Sequence, residues 1–242
     1  MRKAGDLRIY YDFHIHSALS PCGDEDMTPC NIVGMAKVCG LDAIAVTDHN
    51  SAGNCAAAEA AGRELGVTVL SGMELETAEE VHVVLLFPSA RQAELCSDEV
   101  GSRRLKIANK PEIYGRQLYL SGRDEILGEE SDLLITATDI GVYETQELAR
   151  RYGGIAFPAH IDRPSHGIIQ MLGDVSPDMD FGLVEITANA DESFIKEWRG
   201  KGYEILFDSD AHYLHNINER NANFLEVDEL SPEGILGKLG QR

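Results

Sequence analysis

The chain is poor in basic residues: 21 Lys and Arg stand against 41 Asp and Glu, a formal net charge of −20. A protein that grips DNA or an anionic membrane over a broad face carries a basic footprint, and this composition argues against one. Bound cations would invert the sign locally. Cysteine is sparse and unpatterned. The five, Cys22, Cys30, Cys39, Cys55 and Cys96, are odd in number and contain no Cys-x-x-Cys pair, which speaks against a disulfide framework and for a reducing, cytoplasmic setting. Met1–Arg8 lacks an apolar signal core and no run reaches transmembrane length, so export and membrane spanning have no support. Internal repeats and low-complexity tracts are absent. A length of 242 residues suits one large domain, an α/β barrel among them.

What the chain has instead is a strand with two chemistries. Ile9–His16 alternates so that Tyr10, Asp12, His14 and His16 share one face and Tyr11, Phe13 and Ile15 the other. A carboxylate and two imidazoles buried without partners are costly, so that face meets water or a metal. Neutral imidazole is a common ligand of Zn, Mn or Fe.

Strand-like and helix-like segments then alternate, the pattern of an α/β domain with parallel strands. Thr28-Pro29 predicts an N-cap and first helical residue, with the helix running to about Cys39 and ended by Gly40. Strands are predicted at Ala43–Thr47, Val67–Ser71 and Val81–Phe87, with a helix over Ser51–Leu65 closed by Gly66. From Pro88 to Gly153 the segment is charged and broken by Asn109-Lys110-Pro111, with a strand near Gln117–Leu120. It reads as an insertion or lid, at about 88–153, on a single domain spanning 1–242. Strand patterns return at Gly154–His160, Phe181–Ile186 and Tyr203–His212, followed by a last strand at Asn223–Val227 and a helix at Pro232–Leu239.

His16, His49, Glu74, His160, Asp210 and His212 each fall at or just past the end of an apolar strand, where parallel barrels build active sites. Asp208, Asp210 and His212 share one side if their strand stays extended. His82 sits near the start of its strand; it is a core histidine bonded to backbone, or a site residue brought in by an unusual strand direction. Asp12 and Asp48 fit carboxylates that orient imidazoles. Glu185 fits a rim or a site position equally, Cys22 a small buried hydrophobe or a ligand, and His166 and His215 the rim.

The order Asp12-x-His14-x-His16, Thr47-Asp48-His49, Gly72-x-Glu74, His82, Pro158-Ala159-His160 and Ser209-Asp210-Ala211-His212 resembles the PHP (polymerase and histidinol phosphatase) family, over about residues 8–87 and 154–215. The resemblance implies a distorted (β/α)7 barrel holding two to three divalent ions, Zn, Mn or Fe with Mg as an option, in a cleft at one end of the strands. It implies one metal on His14, His16, Glu74 and Asp210, a second on Glu74, His82 and His160, and a third on His49 and His212. Members often supply another third-site ligand shortly after the His-x-His pair, where this chain has Cys22 and Asp24.

The implied activity is phosphoester hydrolysis by a metal-activated water. Glu74 would bridge the ions, and the third metal or a protonated His212 or His49 would assist the leaving oxygen. Arg163 would either clamp a non-bridging phosphate oxygen or pair with Asp162. The alternatives are an amidohydrolase-type C–N hydrolase and a non-catalytic metal-binding regulatory module. No lysine ends a strand to serve as the bridging carboxylated lysine of many amidohydrolases, which favours the phosphoesterase. With a charge of −20, the expected substrate is a small phosphate ester, a nucleotide or sugar phosphate, with neither long nucleic acid nor membrane as partner. Arg103-Arg104-Leu105-Lys106, with Lys110 and Arg116, is either a local cationic lip or a solvated helix face.

Overall fold

The computed structural model describes residues 7–220 and 222–240. The first half holds β1 (Leu7–Ile15), α1 (Pro29–Val38), β2 (Ala43–Val46), α2 (Cys55–Leu65), β3 (Thr68–Glu76), β4 (His82–Phe87), α3 (Ala90–Arg103), α4 (Pro111–Tyr114), β5 (Leu118–Leu120) and β6 (Ile126–Glu129). The second holds α5 (Thr145–Arg151), β7 (Ile155–Pro158), α6 (Ile168–Leu172), β8 (Leu183–Glu185), α7 (Glu192–Gly200), β9 (Glu204–Leu206), β10 (Phe224–Val227) and α8 (Pro232–Leu239). Local signals act where they were read. The Thr28 side chain accepts from Asn31 N, Pro29 opens α1, and Gly66 closes α2 with φ 74°. Helix α2 starts later than predicted, because Asn50 (φ 48°) turns the chain and its amide donates to Leu134 O and Thr136 O.

Strands β1, β2 and β3 pair in parallel, whereas β4 is antiparallel to both β3 and β7. The expectation of parallel strands therefore fails at β4. From β7 the circuit passes to β8, through Ile161 N donating to Glu185 O at 2.9 Å, and to β9, parallel to β8. It returns to β1 through His16 N donating to Ala211 O at 2.9 Å. The result is a distorted α/β barrel. Strand β10 pairs antiparallel with the first half of β1, and α8 packs beside it, at the end away from His14 and His16.

Tyr11, Phe13, Ala43, Ala45, Leu70, Val84, Leu86, Phe157, Leu183 and Leu206 form one buried cluster filling the barrel. Ile15, Ile44 and Val46 pack outward against α1 and α2 residues such as Ile32, Val33, Ala58 and Ala61. Tyr11 and Phe13 thus belong to the inner layer and Ile15 to the outer, so strict alternation along β1 breaks. The switch coincides with a register irregularity between Asp12 and Ile15 in the β1–β2 pairing, and a one-residue shift exchanges faces. This is how His14 and His16 come to face the barrel mouth above Phe13.

The segment 88–153 begins and ends in helices that pack on the sheet: Ala93, Cys96 and Val100 of α3 and Leu148 and Ala149 of α5 join Val83, Leu85 and Phe87 in one cluster. Between them, the β5–β6 hairpin lies against the loop after β1, with Leu118 N donating to Ala18 O at 2.8 Å. Helix α7 went unread although its start is signalled by Asp191, whose carboxylate accepts from Phe194 N at 2.8 Å.

Candidate active site

Glu74, near the end of β3, is 1% exposed, and imidazoles meet both of its oxygens. Oε1 lies 2.9 Å from His82 Nδ1, 3.1 Å from His160 Nε2 and 3.4 Å from His14 Nε2. Oε2 lies 3.0 Å from His49 Nδ1 and 3.4 Å from His16 Nε2. Asp210 Oδ1 is 2.9 Å from His16 Nε2 and 3.4 Å from His14 Nε2. His212 packs its ring on His16 at 4.2 Å. All eight residues expected at the site, His14, His16, His49, Glu74, His82, His160, Asp210 and His212, therefore converge at one end of the barrel.

The direction of β4 explains His82. Its first residue, His82, pairs with Glu76, the last residue of β3, so an antiparallel strand delivers at its start what parallel strands deliver at their ends. Asp208 does not join Asp210: β9 ends at Leu206, Asp210 has φ 49°, and Asp208 Oδ1 instead accepts from Phe13 N at 2.7 Å. His160 also takes a positive φ of 29°. Such conformations cost about 1–3 kcal/mol each and persist where the surroundings impose them.

Surrounding carboxylates aim the imidazoles. Glu185 Oε2 lies 2.8 Å from His14 Nδ1, while its Oε1 accepts from His160 N at 3.0 Å. Asp48 accepts from the Ser20 hydroxyl at 2.7 Å, and Ser20 Oγ lies 2.9 Å from His16 Nδ1. Asp12 instead accepts from the backbone of Ser209 and Asn218, both at 3.0 Å, and so holds the Asp210 loop. Gly23 tightens the loop behind Ser20, since a Cβ there would meet Ser17 O at 2.5 Å. Glu185 and Ser20 are the residues that sequence reasoning left undecided or missed. Only the position of Glu185 at the end of an apolar strand signalled it. Among the rim histidines, His166 stacks on His82 at 4.4 Å, whereas His215 packs on Tyr213.

Burial alone would raise Glu74, but His82, His14 and His49 hold it well below the ordinary carboxylate range. Burial and His49 push His16 down, and Asp210 and Glu74 more than reverse this, raising it to about 9. Burial dominates at His82, lowering it to about 4 against the pull of Glu74. Cys22 is exposed, not a buried hydrophobe, and His49 and His212 outweigh its partial desolvation and lower the thiol to about 5.

The donor set fits divalent ions. Glu74 Oε2 and Asp210 Oδ1 are buried and accept no hydrogen bond, although imidazole nitrogens lie at 2.9–3.4 Å. Atoms about 2.0–2.2 Å from a shared ion stand a little over 3 Å apart, which is this spacing. Four groups of ligand atoms lie within 4.8 Å of one another among the described residues: His14, His16, Glu74 and Asp210; His49, Glu74 and His82; His16, His49 and His212; and, at the rim, Glu76, His82 and His166. Arg163 contacts Asp210 Oδ2, and Asp162 is taken by Thr187 N at 2.9 Å, so the alternative Arg163–Asp162 pair is absent. The basic stretch is largely neutralised: Arg103 pairs with Asp139 at 2.6 Å, Lys106 with Asp132 at 3.5 Å, and Arg116 with Glu129. Arg104 is buried on backbone carbonyls.

Residues 12–156 match the family model of the PHP domain. A 5′-3′ exoribonuclease from Haemophilus influenzae is 32% identical over 77 residues, 31% of this chain and 27% of that protein. The lesion-specific endonuclease Q of Pyrococcus furiosus superposes with a TM-score of 0.70 at 19% identity, covering 98% of this chain and 57% of its own. Another endonuclease Q structure, with a 27-mer duplex bearing an abasic lesion at its active site, gives 0.69 at 18% identity, covering 97% and 57%. A proposed metal-dependent phosphoesterase from Bifidobacterium adolescentis gives 0.62 at 17% identity, covering 94% of this chain and 96% of that one. This chain thus spans little more than half of endonuclease Q, and the exoribonuclease match is shorter still.

The expectation of a small phosphorylated substrate, with no long nucleic acid, does not survive these comparisons: one neighbour holds a DNA duplex and the curated relative is an exoribonuclease. The flaw was to treat −20 as a surface property. That sum counts Glu74, Asp210, Glu185, Asp208, Asp12 and Asp48, all buried around the site, where imidazoles and backbone donors offset them and bound cations would offset them further. Among the described residues no helix is long and apolar enough to cross a membrane. With residues 12–156, more than half of this chain, matching the family model and the histidine–carboxylate centre in place, the chain belongs to the PHP domain family.

Proposed function

We propose that the protein cleaves phosphodiester bonds of nucleic acid, using two to three divalent ions. His14, His16, Glu74 and Asp210 would hold one, Glu74, His82 and His160 a second, and His49 and His212, with Cys22, a third. The observation that carries this reading is the Glu74 carboxylate, buried and met by five imidazoles, with its Oε2 accepting no hydrogen bond. The family supports the chemistry, and the endonuclease and exoribonuclease relatives support the substrate class.

Divalent ions held by these residues would supply an activated water near neutral pH and charge to offset the phosphoryl oxygens. The chain's own groups hold and orient. Arg163, 40% exposed and anchored on Asp210, has further N–H donors for a non-bridging phosphate oxygen. His212, fixed by Nδ1 to Asp210 O at 2.8 Å, is the cluster imidazole most open to solvent; with the third ion absent its protonated ring would hand a proton to the leaving oxygen, and with that ion bound the ion would take over this role. His49, 4.6 Å from His16 and 6.4 Å from His212 between ring centroids, is the second candidate for that proton when the third ion is absent. Imidazole-rich donors favour Zn, Mn or Fe over Mg, and five free cysteines fit a cytoplasmic location.

The test is hydrolysis of single-stranded RNA, single-stranded DNA, duplex DNA and bis(4-nitrophenyl) phosphate by protein loaded in turn with Mn, Zn, Fe and Mg. Diester cleavage should vanish with chelator and return with metal. Turnover of monoesters or amides alone, with every diester inert, would sink the proposal.

A further inference from the structure

Beside the Glu74 centre lies a cleft of about 570 Å³, bounded by Arg163, Ala188, Asn189, Asp208, Asp210 and Asn216. Asp210 belongs to both, so whatever fills the cleft sits next to a phosphate held at the centre. Asp208 is 6% exposed, and while its Oδ1 takes Phe13 N, its buried Oδ2 accepts no hydrogen bond. A buried acceptor without a donor costs about 1–3 kcal/mol, and a ligand's N–H or O–H would relieve it.

The charge of the lining limits what that ligand is. Asp162, Glu185, Asp208 and Asp210 face a single cation, Arg163, which already contacts Asp210. A second phosphate would be repelled, whereas an uncharged group rich in donors would not. Size limits it further: the volume lies in the range for one drug-sized ligand and is far below that of a base-paired step with its backbones.

We propose that this cleft receives one unpaired nucleoside, the neighbour of the phosphate under attack, with Asp208 accepting from its base or sugar. The proposal rests on the nucleic-acid reading above and narrows it. The substrate must present a free chain end or a nucleotide swung out of its duplex, because a paired nucleoside cannot enter without unstacking.

The probe is a dinucleoside methylphosphonate, an uncharged diester analogue that resists hydrolysis, followed by titration and saturation-transfer NMR on the full chain. In the wild type the protons of one nucleoside should saturate strongly and those of the other weakly. Asp208→Asn, which keeps an acceptor for Phe13 N but loses the open one, should weaken binding about tenfold. Ala188→Trp fills the cleft from an exposed position and should abolish binding without touching the core. Equal saturation of both nucleosides, or unchanged affinity in Ala188→Trp, would overturn the subsite. Cleavage of a blunt, fully paired duplex as fast as of a single strand would overturn the requirement for an unpaired nucleotide. Hydrolysis of bis(4-nitrophenyl) phosphate by the wild type reads the proposed reaction separately, since that ester has no nucleoside to place.

Discussion

Around Glu74, the side chains of His14, His16, His49, His160 and Asp210 are all under a tenth exposed and His82 barely above, and imidazoles meet carboxylates at 2.9–3.4 Å. Around Arg103 and Arg116, Asp139, Glu144 and Glu129 form ion pairs of similar length, but the partners are 28–74% exposed. Contact distance does not separate the two regions; water does. In the first, low dielectric makes each unmatched charge costly and each bound cation strongly favoured, whereas in the second solvent screens both effects. The contrast predicts a graded set of outcomes.

The sharpest break is Glu74→Gln, which removes the one charge shared by five imidazoles. We expect activity to fall by about a thousandfold or more, beyond the 10–100-fold usual for groups one step removed from an ion. Metal content by elemental analysis should fall with it while the circular dichroism is unchanged; wild-type turnover would remove Glu74 from the chemistry. Next is Glu185→Gln, which weakens the orientation of His14 without deleting a donor to any ion; metal affinity and activity should fall roughly 10–100-fold, as a chelator competition would read.

Arg163→Ala should lower kcat/KM for diesters by roughly tenfold to a hundredfold, the scale of a charge-assisted hydrogen bond. Metal stoichiometry separates the two roles of this side chain: an unchanged ion count means it serves the phosphate, and parallel loss means it serves Asp210.

A pH series sharpens the comparison in the metal-free protein. His16 is raised to about 9, above its unfolded value of about 6.5, so its stabilising contribution is full below the lower value and is lost as pH climbs through the upper. Urea midpoints should therefore fall between pH 6.5 and 9 without metal. With metal the trend should reverse over the same window, because ions compete with those protons. The smallest effect belongs to Arg116→Ala, which should leave both the thermal midpoint and the activity where they are. A clear loss of either would show the exposed pairs to be more than solvated neighbours.

Residues that announce themselves by type and by strand position were legible: His14, His16, His49, Glu74, His160, Asp210 and His212 lie where apolar runs end. The α/β class was legible from the alternation of segments, and the barrel from the family resemblance that these residues carry. Glu185 and Ser20 were not, because their part is defined by what they touch, His14 across the barrel and His16 four residues on. The substrate class was misread from net charge, a sum that carries no positions.

What the sequence determined by itself is therefore the inventory and the local geometry: caps at Thr28 and Gly66, apolar strands, and polar donors at their ends. Only the tertiary structure decided that β4 runs against its neighbours and carries His82 to the site, and that the register irregularity in β1 places His14 above Phe13. The physical reason is that side-chain periodicity is a property of one segment. Strand direction and register are settled by hydrogen bonds to partners far away in the chain, such as those of β4 with β7.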